Sequence, residues 1–173
     1  VSRILPISLL AILIALSSCG TDYPPIDSNI SFNLPFTVDF AISNSAVSGN
    51  DTTLAAVGKI DTTEYIRNGT SGYLLRNSEV WKLELQSSDA SFTLDQLGFA
   101  RVLIGTDTIA FDALPPQATL DTTLMLTNKD ITPYMRDTSF PASLQCHLKN
   151  APANPVMITC SMTVVYTAPY QNF

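Results

Sequence analysis

The chain has 173 residues, with nine Lys and Arg against fifteen Asp and Glu, for a net charge of −6. The basic residues are scattered and form no run. That argues against a nucleic-acid-binding protein, because phosphate contact needs clustered positive charge. The length allows a single domain with a sizeable core, and the frequent Thr, Val, Ile and Phe favour pleated sheet.

The chain opens Val1-Ser2-Arg3, one positive charge, followed by an apolar run from Ile4 to Leu16. The run is too short for a membrane span, which needs roughly 20 apolar residues. A basic start, an apolar middle and small residues at the end give it the proportions of a signal peptide. Its close, Leu16-Ser17-Ser18-Cys19, resembles the bacterial lipoprotein lipobox, in which a branched apolar residue and two small ones precede a cysteine. That resemblance implies removal of residues 1–18 and lipidation of Cys19 with diacylglycerol and fatty acid such as palmitate. It also implies attachment of the protein to a membrane through that residue. Gly20, rather than Asp, follows the cysteine, a pattern similar to that of lipoproteins sent to the outer membrane.

Residues 19–29 then read as the lipidated cysteine and a tether, partly polyproline-like at Pro24-Pro25. Residues 30–173 read as the folded domain. Ile30 to Ile42 is the clearest strand. Seven apolar residues alternate there without a break, and Pro35 places the strand at an edge or a bulge. A loop through Ser48-Gly49-Asn50-Asp51 leads to a second strand, Thr52 to Ile60. Asp61 to Asn68 reads as a short helix or turn, with Gly69 suited to a left-handed cap.

Glu79 to Gln86 reads as a strand with Trp81, Leu83 and Leu85 on one apolar face. Ser91 to Leu97 reads as a single helical turn, and Phe99 to Phe111 as a tight hairpin turning at Gly105-Thr106-Asp107. Leu120, Leu124 and Leu126 mark a further strand, and Asp130 to Arg136 a helical turn limited by Pro133. Ala142 to Tyr166 reads as a closing hairpin around Asn150–Pro155, with Cys146 opposite Cys160.

These elements predict an all-β fold: an immunoglobulin-like antiparallel β-sandwich of seven to eight strands with one to three short helical turns. A closed barrel is the alternative. The order of elements is similar to that of small β-sandwich lipoproteins of Gram-negative bacteria.

Lipidation of Cys19 leaves an even pair, Cys146 and Cys160. In an exported domain, directly opposed strand cysteines predict a disulfide, and two buried reduced thiols are the alternative. Asp-Thr followed by Thr or an apolar residue stands out four times: at Asp51, Asp61, Asp107 and Asp121. They read as turn and strand-start chemistry, since Asp closes turns and Thr opens strands. They also resemble the O-glycosylation acceptor of some Gram-negative bacteria, which would place sugar on Thr52, Thr62, Thr108 and Thr122.

His147 is the only histidine and is expected to face solvent. No metal-binding spacing, phosphate loop or nucleophile motif is present, so no cofactor and no catalytic residue is expected. Tyr65, Tyr73, Tyr134 and Tyr170 fall near loops and ends, where exposed aromatics stack on sugars or partners. The expectation is a non-enzymatic, membrane-anchored lipoprotein whose sandwich serves envelope structure, adhesion or protein interaction. The alternatives are a carbohydrate-binding accessory lipoprotein and a hydrolase with carboxylates the sequence does not locate.

Overall fold

A computed structural model describes residues 29–114 and 117–169. Eight strands form two antiparallel four-stranded sheets. They are β1 (Asn29–Ile42), β2 (Asn50–Lys59), β3 (Asn77–Ser87), β4 (Leu97–Ile104), β5 (Asp107–Ala113), β6 (Asp121–Thr123), β7 (Ser139–Leu148) and β8 (Val156–Pro169). One sheet runs β1-β8-β3-β6 and the other β2-β7-β4-β5.

The expected all-β sandwich of two facing antiparallel sheets is therefore present. Its connectivity is that of an eight-stranded jelly roll. Except for the β4–β5 hairpin, successive strands cross between the sheets, so the immunoglobulin division of strands is not the one the chain follows. Among the described residues the helical turns are few and short: one α-helix, α1 (Thr63–Arg67), and three single 3-10 turns.

The alternation of β1 explains its place. Leu34, Phe36, Val38, Phe40 and Ile42 are all buried, and the residues between them are exposed. A one-residue slip would turn all five to water, at a cost of about 1.5–3 kcal/mol for each large side chain. Pro35 is tolerated because β1 is an edge strand, paired only with β8. The hairpin between β4 and β5 turns at Gly105 and Thr106, with Ile104 paired to Asp107. Gly105 has φ +59, the left-handed geometry that the first central position of such a turn requires.

Two expectations fail here. The first concerns the last two strands, which are not a hairpin. β7 lies between β2 and β4 in one sheet, and β8 lies between β1 and β3 in the other. Cys146 is opposite Thr52 and Ala100, and Cys160 is opposite Val38 and Leu85. The register that placed the two cysteines face to face therefore does not exist, and both are free and buried. Burial, aided by the charge of Asp51, pushes the Cys146 thiol up to about 11. Burial alone pushes Cys160 up to about 12. Both are small apolar side chains of the core, protonated at neutral pH.

The second is Trp81, which is not in the core. Pairing of β3 with β8 skips a residue between Val80 and Lys82. Val80, Leu83 and Leu85 all face inward, so one extra residue must be accommodated between positions 80 and 83. Trp81 is that residue, and the bulge turns its indole out to 69% exposure.

Candidate functional site

The bulge at Trp81 creates the most distinctive feature of the outer surface. Register places Asn33 of β1, Val165 of β8 and Glu79 of β3 in one row across the sheet. All three belong to the outward-facing set of their strands. With Val80, Trp81 and Asn128 they line an open groove of about 410 Å³. Asn128 comes from the loop after β6 and has φ +53, a backbone state that non-glycine residues seldom adopt.

The loop carrying Asn128 is tied to β3. Glu79 and Asp130 form a β-bridge, and the Ile131 amide donates to the Ser78 carbonyl at 2.8 Å. Asp130 Oδ1 accepts from the Thr132 amide at 2.9 Å and from the Thr132 hydroxyl at 2.6 Å. Burial works against the Asp130 carboxylate, but these bonds, one from the Ser78 amide and the charge of Arg136 outweigh it and hold its pKa below the ordinary value. Glu79 is also held in place, since the Asn77 side-chain amide donates to its Oε1 at 2.9 Å. The groove thus has one flat aromatic wall, an aliphatic floor, two neutral side-chain amides and one carboxylate that Asn77 holds in place.

The other exposed aromatics lie elsewhere. Tyr73 stands on the 3-10 turn Gly72–Leu74, beside a cleft of about 600 Å³ that Arg136 also lines. Phe99 and Phe111 meet on the outer face of the second sheet, with ring centres 6.1 Å apart and the Arg101 guanidinium 5.2 Å from the Phe111 ring centre. Among the described residues the exposed aromatics are therefore spread over three places and do not form one row. Tyr65 is not exposed. It is part of the core, and its hydroxyl donates to the Met135 carbonyl at 2.7 Å. Tyr134 is half-buried and donates to Asp107 Oδ2 at 3.1 Å. Tyr170 lies outside the described residues.

His147 does not stand alone in solvent. Register sets it opposite Asp51, and Nδ1 lies 2.8 Å from Asp51 Oδ1. Such a pair supplies two members of a nucleophilic triad. Among the described residues no hydroxyl is hydrogen-bonded to the other ring nitrogen, so the pair is a cross-strand contact on the sheet surface. Glu84 and Asp121 share a groove of about 400 Å³ on the first sheet, but Glu84 is paired with Lys82 at 2.9 Å. A carboxylic acid poised for hydrolysis needs a drier setting than this exposed face. Among the described residues no group of three or more His, Cys, Asp or Glu is placed to hold a metal ion.

Cys19 lies outside the described residues, as does the segment expected to be a signal peptide. The four Asp-Thr triplets sit where turn and strand chemistry puts them. Thr52, Thr108 and Thr122 are partly buried residues of β2, β5 and β6. Thr62 precedes α1, where Asp61 Oδ1 accepts from the Thr63 amide at 3.0 Å and the Thr63 hydroxyl at 2.6 Å. Those bonds from Thr63 lower the pKa of Asp61.

Fold and groove together define a jelly-roll sandwich with an aromatic-walled, polar-lined groove on one sheet. No protein family matches the chain, and no curated protein matches it in sequence. Among solved structures, the chain is similar to one titled crystal structure of 60-mer BFDV capsid protein. That likeness is 10% identical with a TM-score of 0.41, over 85% of this chain and 97% of that one. It is also similar to one titled Desmodium yellow mottle tymovirus, 14% identical with a TM-score of 0.29, over 87% and 95% of the respective chains. Likenesses this loose say nothing of assembly or function.

Proposed function

We propose that the protein is a non-enzymatic lipoprotein, held on the outer membrane through a lipidated Cys19 and displaying a jelly-roll domain for binding or envelope organisation. The observation that carries this reading is where the sandwich begins and ends. Asn29, the first residue of β1, pairs with Pro169, the last of β8. Both ends of the described domain therefore leave from one pole of the sandwich. Asn29 lies ten positions after Cys19, a reach of at most about 35 Å when fully extended.

An anchor at Cys19 would hold that pole toward the bilayer. The opposite pole, with residues 43–49, 88–96 and 149–155, would face away, and both sheet faces would stay open. Among the described residues no helix is long and apolar enough to cross a membrane. A lipid is the device the N-terminal motif supplies in place of one. Two or three acyl chains make such an anchor nearly permanent, because each buried methylene contributes about 0.8 kcal/mol.

Cells fed a radioactive fatty acid are expected to label the wild-type protein and to leave Cys19→Ser unlabelled. Equal label in both would overturn the reading.

A further inference from the structure

We propose that the groove beside Trp81 binds a neutral sugar ring of a glycan, with the ring stacked on the indole and its hydroxyls taken up by Asn33, Glu79 and Asn128. The site does not depend on the anchor and would persist in a soluble form of the domain. Four observations converge on it. The only tryptophan in the sequence is turned out of the core by a bulge, a device that re-aims a side chain. Its indole stands over a groove rather than alone on a convex surface. The polar residues around it come from three separate parts of the chain, and Glu79 is held in position by Asn77. Asn128 adopts a left-handed backbone in a loop pinned at Asp130, so a disfavoured conformation is maintained at the groove's rim.

The chemistry selects the ligand. A pyranose has an apolar face of C–H groups and a rim of hydroxyls that both donate and accept. An exposed indole matches the face. Two side-chain amides offer donors and acceptors, and the carboxylate accepts, so the rim is matched as well. The lining holds one carboxylate and no cation, which disfavours phosphate-bearing and acidic ligands. The neighbouring Lys82 is paired with Glu84. A groove of about 410 Å³ admits one or two sugar rings and leaves a longer glycan running over the sheet, whose nearest outward residues are Pro35, Thr163 and Lys82.

Because Trp81 is the only tryptophan, its fluorescence reports directly on the groove. The test is titration with five hexaoses: β-1,4-glucose, α-1,4-glucose, β-1,4-mannose, β-1,4-xylose and β-1,4-N-acetylglucosamine. Decaproline is run alongside as a peptide that also stacks on indole. At least one hexaose is expected to shift or quench the emission saturably, with a Kd of about 1 mM or tighter. Asn33→Ala and Glu79→Gln should each weaken that binding about tenfold, the usual scale for a lost polar contact. Trp81→Ala should abolish it by calorimetry while keeping its circular dichroism, and Tyr73→Ala should change nothing. No saturable response to any hexaose up to about 10 mM would overturn the proposal. So would a response to decaproline alone, or undiminished sugar binding by Trp81→Ala.

Discussion

Tyr166→Ala is expected to destabilise the domain by about 3–5 kcal/mol, the range for removing a buried aromatic ring. Tyr166 is fully buried in β8 and is the hub of the aromatic cluster at the pole where the chain enters and leaves. Its ring stacks on Phe32 with centres 5.2 Å apart and meets Tyr65 edge-on at 5.5 Å and Phe36 at 6.4 Å. These contacts join β1, β8 and the segment carrying α1, so a cavity there has rigid walls and cannot collapse.

The hydroxyl of Tyr166 makes a smaller contribution. It donates to Met135 Sδ at 3.3 Å, and sulfur is a weak acceptor. Burial, with the neighbouring Tyr65, raises the pKa of the phenol, so it stays protonated at any pH the fold meets. Tyr166→Phe should therefore cost less than about 1.5 kcal/mol. Urea unfolding of both variants checks the comparison. A loss below about 1 kcal/mol for the alanine, or equal losses for the two, would show that the ring cluster is not what closes this pole.

Gly58→Ala should destabilise the domain by about 1–3 kcal/mol, although strand propensity alone predicts a gain of roughly 0.5–1 kcal/mol. The two effects have opposite signs, so the measurement decides between them. Gly58 is buried in β2, directly opposite Phe140 of β7. A methyl group there would lie 2.2 Å from Phe140 Cζ and 2.5–2.6 Å from its two Cε atoms. The ring cannot retreat easily, because it is itself buried and packs edge-on against Phe36 at 6.0 Å. The double variant Gly58→Ala, Phe140→Leu should recover part of the loss by removing the ring edge. A stabilised Gly58→Ala would mean that the ring swings aside and that the glycine is there by propensity alone.

What the sequence disclosed follows from how local each signal is. The alternation of β1, the cap at Gly69 and the turn at Gly105 are set by neighbours a few residues apart, and the structure has all three. Pairings between distant strands were not legible. The loop Asn150–Pro155 is long enough either to close a hairpin or to cross the roughly 10 Å between sheets, and it does the latter. The supposed face-to-face geometry of Cys146 and Cys160 disappeared with that choice.

The contact of Asp51 with His147 spans 96 positions and depends on β2 lying beside β7, which no local pattern states. Trp81 is different, because a signal was present. Inward positions run through Val80 and then through Leu83 and Leu85, so the parity changes between them and an extra residue is required. The candidate groove was readable only once that change was placed on the sheet. Its other walls, Asn33 and Asn128, lie 48 and 47 residues from Trp81 on either side.

The anchor is the central claim, and the intact mass of the protein extracted from membranes with detergent tests it most directly. The account predicts a polypeptide beginning at Cys19 that carries a diacylglyceryl group on the thiol and an acyl chain on the new amino end. A chain that retains residues 1–18, or one that begins at an unmodified Cys19, would contradict it.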